Sequence, residues 1–211
     1  MTIQTRFSNL ITATSGLPLW DIPVRESENI LVVPTLGMIV PNWLLFIPKR
    51  HSFNFGSQSQ ALAGELTNSI QQVCGKIGYD DYVVFEHGAS EVGSVVGCGV
   101  DHSHVHVVFG TEQTIAPLWD ALAKDLAVPT VGQDLRTTLE ELPARASYYM
   151  AWRRGVAAIE TSPRNPISQR FRRVIASHWG CPEKWDYKSH AFIENIVATR
   201  EKFDRSAPLA A

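Results

Sequence analysis

Apolar residues in the first half of the chain fall into short runs bounded by turn residues. Residues 29–34, NILVVP, read as a β-rich run ending at a proline turn, and residues 43–47, WLLFI, as a buried strand closed by Pro48. Between 59 and 77 the period changes. Leu62, Leu66, Ile70, Val73, Cys74 and Ile77 recur on one face of a helix, which Gly78 stops. Tyr82 to Phe85 reads as another strand. Residues 88–100, GASEVGSVVGCGV, carry Gly88, Gly93, Gly97 and Gly99 with no period and read as a loop. Ser103 to Phe109 reads as a strand ending at Gly110.

The texture changes near residue 112. Residues 116–126 and 134–142 have the pattern of short helices. Residues 147–152 and 156–160 flank Arg153-Arg154-Gly155, which predicts a hairpin. Asn165 followed by Pro166 predicts a capped helix whose inward face is Ile167, Phe171, Val174 and Ile175. A last helix is expected over about 189–203. Strands joined by short connections around one clear helix predict an antiparallel sheet of the α+β class. Two parts are expected, 1–112 and 113–211, the second packed on the first.

The chain has 211 residues, within the range of one large domain or two small ones and long enough to bury a core without staples. Hydrophobic residues make up 45% and charged residues 19%, which excludes a disordered chain. Apolar runs such as Trp43 to Ile47 are far below the ~20 residues of a membrane-spanning helix. The start, MTIQTRFSNL, lacks the features of a signal peptide, so a cytoplasmic location and no membrane partner are expected. Cys74, Cys98 and Cys181 are odd in number and lack CxxC spacing, which argues against a disulfide framework or zinc ribbon. A net charge of −2 argues against a general grip on nucleic acid. From Arg136 onward, however, there are 13 basic against 8 acidic residues, a lean toward an anionic ligand.

His102, His104 and His106 alternate with Ser103 and Val105. On a strand, alternate residues share a face, so three imidazoles would stand side by side while Val105 and Val107 face the core. Three functions are open to such a run. It is a surface strand with incidental histidines, a metal site completed by Cys98, His51 or His87, or a site for covalent phosphoryl chemistry. Gly97-Cys98-Gly99 can bring bare backbone N–H groups near an anion.

His102-Ser-His104-Val-His106-Val-Val resembles the signature of the histidine-triad (HIT) superfamily. Glu26 to His51, with its IPKRH run, and Phe85 to Gly88 are similar to the family's strands before the triad; the likeness covers about residues 19–110. The resemblance implies a nucleotidyl hydrolase or transferase with a nucleotide conjugate as substrate. In that scheme His104 attacks the α-phosphate and forms a nucleotidyl-histidine. His106 contacts the phosphate and assists the leaving group, and His102 supports the hydrogen-bond network. Backbone donors around Gly99 stabilise phosphoryl charge. No cofactor and no metal are implied, and a homodimer is left open.

Departures from the family pattern occur at three positions. Trp43 stands where a histidine is common, Thr35 where an acidic or amide residue reads the ribose, and Glu86 where some members place asparagine near the phosphate. Trp43 and Glu86 support an alternative, a nucleotide-binding protein of this fold with little catalysis. A metal-binding protein using the triad is a further alternative. Gln169 and Arg172, near a helix start with further arginines, are candidate ligand contacts. His51 reads as orienting a turn, Cys98 as a small buried hydrophobe, and Asp101 as pointing away from His102. Tyr148, Tyr149, Trp152, Trp179 and Trp185 read as core.

Overall fold

The computed structural model describes residues 6–13 and 15–205. In chain order the elements are α1 (Arg6–Thr12), β1 (Arg25–Glu26), β2 (Ile30–Pro34), β3 (Trp43–Pro48), α2 (Gln60–Lys76), β4 (Asp81–Gly88), β5 (Val105–Gly110), α3 (Glu112–Leu126), β6 (Thr130–Gly132), α4 (Leu135–Glu140), β7 (Tyr148–Arg153), β8 (Val156–Thr161), α5 (Arg170–His178) and α6 (Ile193–Arg205). The strands form one antiparallel sheet in the order β1-β2-β3-β5-β4-β7-β8-β6. The fold is α+β, with helices on both faces of the sheet.

Alternation along each strand sorts side chains onto two cores. Val32, Leu44, Phe46, Val84, Val105, Val107 and Met150 pack with Leu62, Leu66, Ile70 and Val73 of α2 and Leu135 and Leu139 of α4. On the other face, Trp43, Val83, Phe85, Val108, Tyr149 and Ala151 pack with Leu118 and Leu122 of α3, Phe171 and Ile175 of α5, and Ile196 of α6. At that face's β2–β3 end, α1 seats Phe7 and Leu10 on Leu31, Val33, Leu45 and Ile47. With both faces covered, β2 and β3 are buried along their whole length, which explains their unbroken apolar runs. Helix α2 starts at Gln60, one residue inside the expected start, and is capped by Ser59, whose hydroxyl accepts from the Leu62 N–H.

The sheet continues across residue 112. β4 pairs with β7 from Val84↔Trp152 to Gly88↔Tyr148, so strands from both parts of the chain lie in one sheet. β7 and β8 form the expected hairpin. Arg154 and Gly155 take φ of 43° and 78°, the paired left-handed conformation of a tight hairpin turn.

Three expectations differ from the structure. Trp179, expected in the core, is exposed just past the end of α5. The triad strand begins at Val105, not Ser103, because its pairing with β3 ends at Phe46↔Val105. Upstream, the Ser103 N–H turns to the Ser52 carbonyl at 2.7 Å. The helix expected from Pro166 begins at Arg170. The Tyr149 hydroxyl takes both the N–H and the carbonyl of Ile167, each at 2.9 Å, and Gln169 turns the chain at φ 55°. Ile167 is therefore exposed, whereas Phe171 and Ile175 are buried.

Candidate functional site

A cavity of about 30 Å³ lies on the α5 face of the sheet. Its walls are His104 and His106, His87 of β4, Thr35 and Leu36 after β2, Arg6 and Phe7 of α1, and Cys98, Gln169, Arg172 and Tyr187. Both parts of the chain contribute. No carboxylate lines it among the described residues, while two guanidiniums do.

The imidazole nitrogens can be assigned from their partners, since a neutral ring has one N–H and one acceptor nitrogen. His104 Nδ1 lies 2.8 Å from the His102 carbonyl, which only accepts, so Nδ1 carries the proton. The lone pair is then on Nε2. His106 is reversed. The indole Nε1–H of Trp43 donates to its Nδ1 at 3.0 Å, which puts the His106 proton on Nε2. A nucleophilic nitrogen and a hydrogen-bond donor thus stand on neighbouring rings whose centroids are 4.8 Å apart. Phe85 stacks on His106 at 4.9 Å and 5°, fixing the ring plane.

Burial keeps these histidines neutral. Desolvation pulls His104 down to about 4, and drives His106 and His87 well below the usual histidine range, with nearby Arg172 adding to each shift.

Of the three sequence-adjacent histidines, only two line the cavity. His102 turns away and donates Nε2–H to the Pro48 carbonyl at 2.7 Å, while its ring meets His51 edge-on at 5.1 Å. Its carbonyl, rather than its ring, serves His104. The third imidazole of the cavity is His87, edge-on to His106 at 5.7 Å. Its Nε2 accepts the Phe171 N–H at 3.3 Å, so Nδ1 bears the proton. Sequence reasoning weighed His87 only as a distant metal ligand. Its signal was the register of β4: Phe85 sits opposite His106, and His87 is two residues on, on the same face.

Arg172 is buried and makes no ion pair among the described residues. Its guanidinium donates to the Gly37 carbonyl at 2.6 Å, the Thr35 hydroxyl at 2.6 Å and the Leu36 carbonyl at 2.7 Å. Trp43 lies on one side at 4.5 Å and Tyr187 at 5.4 Å. Burial lowers its pKa to about 10, still charged at neutrality. Gly37 has φ 72°, and a Cβ there would lie 2.9 Å from the guanidinium and closer still to Tyr187, so this contact requires glycine.

The other candidates separate. Thr35 lines the cavity, but its hydroxyl already holds Arg172. Gln169 lines it too; its side chain bonds Asp186 at 3.0 Å and the Tyr187 N–H at 3.4 Å, and so ties the Tyr187 segment to α5. Trp43 lies behind the wall and acts on it through His106 and Arg172. Gly99 is outside, between the lining residues Cys98 and Val100. Glu86 is on the opposite face of the sheet. Its carboxylate accepts from the Phe55 N–H at 2.9 Å, Ser103 Oγ at 3.1 Å and the Tyr148 hydroxyl, so it supports the triad loop from behind. Burial pushes it up to about 7. His51 donates Nε2–H to the Asp101 carbonyl at 2.7 Å, and the Asp101 carboxylate accepts the Gly93 N–H at 2.9 Å.

A metal at this cavity would need imidazole lone pairs, and those of His106 and His87 already accept N–H donors. Among the described residues, no three His, Cys, Asp or Glu side chains are grouped to hold a metal ion. Nor is any described helix long and apolar enough to cross a membrane.

No protein-family model matches the chain, and no curated protein matches it. Solved structures do. The chain is similar to a protein described as "Hit Like Protein", with 23% identity and a TM-score of 0.36, over 51% of this chain and 99% of that one. It is also similar to yeast Ap4A phosphorylase Apa2 in complex with AMP, with 16% identity and a TM-score of 0.37, over 65% of this chain and 57% of that one. A second structure of the yeast enzyme matches with 13% identity and a TM-score of 0.37, over 78% and 74% of the two chains.

Proposed function

We propose that the protein is a HIT-type nucleotidyl hydrolase or transferase that works through His104. One observation carries this reading: a neutral, buried imidazole with its Nε2 lone pair facing a cavity lined by Arg172, Arg6 and N–H donors, and by no described carboxylate. Such a cavity suits the phosphoryl group of a nucleotide conjugate.

In this scheme His104 Nε2 forms a bond to the α-phosphorus while the bond to the leaving group breaks. The positive imidazolium so formed keeps its Nδ1–H on the His102 carbonyl. His106 Nε2–H and Arg172 stabilise the charge that builds on the phosphoryl oxygens. Water or a second acceptor then takes the nucleotidyl group and restores His104. Trp43 replaces a histidine of the family pattern yet keeps a hydrogen bond to the triad, which favours catalysis over a binding protein with an idle site. The part from 113 to 211 acts as an extension that shapes substrate choice, through Gln169, Arg172 and Tyr187.

The test compares wild type with His104→Ala on AMP binding and on turnover of a dinucleoside polyphosphate. The variant is expected to stay folded, to keep AMP affinity within a few fold, and to lose turnover. Turnover of that compound by the variant at the wild-type rate refutes the mechanism.

A further inference from the structure

Both cavity imidazoles that present an N–H are held in that state from behind. A neutral imidazole can give up its proton as a general acid only if its second nitrogen carries, or takes up, another proton. In His106 that nitrogen, Nδ1, faces the indole N–H of Trp43, a donor that cannot accept. In His87 it is Nε2, facing the backbone N–H of Phe171. Protonating either acceptor nitrogen would set one N–H against another inside a buried core. The charged groups around His106 oppose it as well: His104 and His87 flank the ring, and Arg172 adds fixed positive charge.

The other protic groups of the wall are poor substitutes. The Cys98 thiol donates to the Val96 carbonyl at 3.4 Å, and burial pushes it up. Tyr187 stacks beside the Arg172 guanidinium. Arg6 and Arg172 donate hydrogen bonds but do not release protons at neutral pH. His104 is spent as nucleophile, with its one proton on the His102 carbonyl. Among the described residues, the cavity is thus rich in hydrogen-bond donors and fixed positive charge, and has no group placed to deliver a proton.

We infer that Trp43 restricts the enzyme to substrates whose leaving group departs as a stable anion, namely phosphoanhydrides of nucleoside monophosphates, and excludes phosphoramidates and alkyl esters. This rests on the nucleotidyl-transfer reading of His104. The step balances without proton transfer. The His104 Nε2 pair forms the N–P bond, the P–O bond to the leaving phosphate breaks, and its electron pair leaves on that oxygen, where Arg172 and the His106 N–H neutralise it. An amine leaving group fails at the same step, because its nitrogen must gain a proton as the P–N bond breaks. Trp43 is a positioning residue here, acting through the proton inventory of His106.

The experiment measures kcat/KM, and single-turnover formation of adenylyl-His104, for a series of AMP derivatives with leaving groups of rising pKa: pyrophosphate, p-nitrophenol, phenol and an alkylamine. Wild type is compared with Trp43→Phe and Trp43→His. For wild type the rate should fall steeply with leaving-group pKa, the amidate reacting at least about 100-fold more slowly than the anhydride, the scale of a missing general acid. Trp43→Phe frees His106 Nδ1 to take a second proton. Its slope should flatten, and amidate cleavage should appear with a new dependence on low pH. If wild type cleaves the amidate as fast as the anhydride, the inference is overturned and the nucleotidyl-transfer reading survives. The same holds if folded Trp43→Phe and Trp43→His both keep the wild-type slope. If no adenylyl-His104 forms with any member of the series, both fall together.

Discussion

The indole N–H of Trp43 lies 3.0 Å from Nδ1 of His106, and this bond decides which nitrogen of His106 faces the cavity. The two rings sit on neighbouring strands, with Trp43 paired to Val108 and His106 to Leu45 on the same face. Phe85 stacks on the remaining flat side of the imidazole, so its tilt and its tautomer are both fixed. The same indole supports Arg172 on its other side. One side chain therefore sets the donor and the cation that meet at His104.

The acid limit of activity should lie far below the ordinary histidine range. In the proposed reaction His104 must be neutral to attack, and burial holds its pKa at about 4. Profiles of kcat/KM for an anhydride substrate should stay flat from pH 8 to about 5 and fall below it. A midpoint near 6.5 would mean that the ring is solvated and unlike the one described. Stability falls in the same direction but begins to fall at higher pH. The unfolded chain takes up a proton on this residue near 6.5, so folding stability is lost as pH falls from there toward 4. His87, His102 and His106, all lowered, add in the same direction.

Glu86 supplies the reverse slope. Its folded pKa, about 7, is above the unfolded 4.5, so the folded state binds more protons between these values. Stability from this group is greatest at acid pH and declines as pH rises through that window. Glu86→Gln removes the titration and keeps a carbonyl oxygen for Phe55 and Ser103. Relative to wild type, the variant should gain about 3 kcal/mol between pH 4.5 and 7, from roughly 1.4 kcal/mol per pKa unit. Denaturant unfolding at several pH values reads this difference, and a constant difference would contradict the buried ionisation.

Arg172→Met should leave the fold intact and weaken AMP binding. The methionine keeps apolar contact with Trp43 and Tyr187 but removes the buried positive charge and three donors to Gly37, Thr35 and Leu36. Charged hydrogen bonds contribute roughly 1.5–3 kcal/mol each when lost, so AMP affinity should fall by 10-fold or more. Arg172→Lys restores charge without the planar fork and should recover only part. Calorimetric titration with AMP checks both variants.

Helix α1 must move when a nucleotide binds. The cavity of about 30 Å³ is an order of magnitude below the ~300–1,000 Å³ of small-molecule sites. Phe7 closes it from one side, edge-on to His104 at 5.1 Å and to His102 at 5.9 Å. Phe7 and Leu10 are the buried residues of this seven-residue helix, Ile11 packs partly buried beside them, and Arg6 pairs with Asp21. Hydrogen exchange over residues 6–12 should change on adding AMP, while that of β3 and β5 stays slow. Unchanged protection in α1 at saturating AMP would show that the ligand enters elsewhere.

The central strands β2, β3 and β5 are legible from their apolar runs and from the stops at Pro34, Pro48 and Gly110, whereas the short edge strands β1 and β6 are polar or exposed and give no such signal. The amphipathic stripe of α2 and the Arg154-Gly155 turn were equally local signals. The Pro166 start of α5 was misread because the Tyr149 hydroxyl, 18 positions away, consumes the backbone of Ile167. At the site, the spacing of His102, His104 and His106 predicts three imidazoles on one face, whereas only His104 and His106 line the cavity. Alternation assumes a strand, and Ser103 leaves the sheet for Ser52 and Glu86. His87, Arg6 and Phe7 enter from elements whose relation to the triad is purely tertiary. The inversion of Glu86 to the far face follows from β4 parity, which becomes visible once Phe85 is known to oppose His106.

If the His104 Nε2 lone pair attacks phosphorus as proposed, a covalent intermediate on that residue can be trapped. Wild type is mixed with a dinucleoside polyphosphate, quenched in alkaline denaturant within the first turnover, digested and analysed by mass. A nucleotidyl group should appear on the peptide carrying His104, decay on the timescale of turnover, and be absent from His104→Ala. Multiple turnovers by wild type with no adduct at His104, or an adduct on His106 or His87 instead, would contradict it.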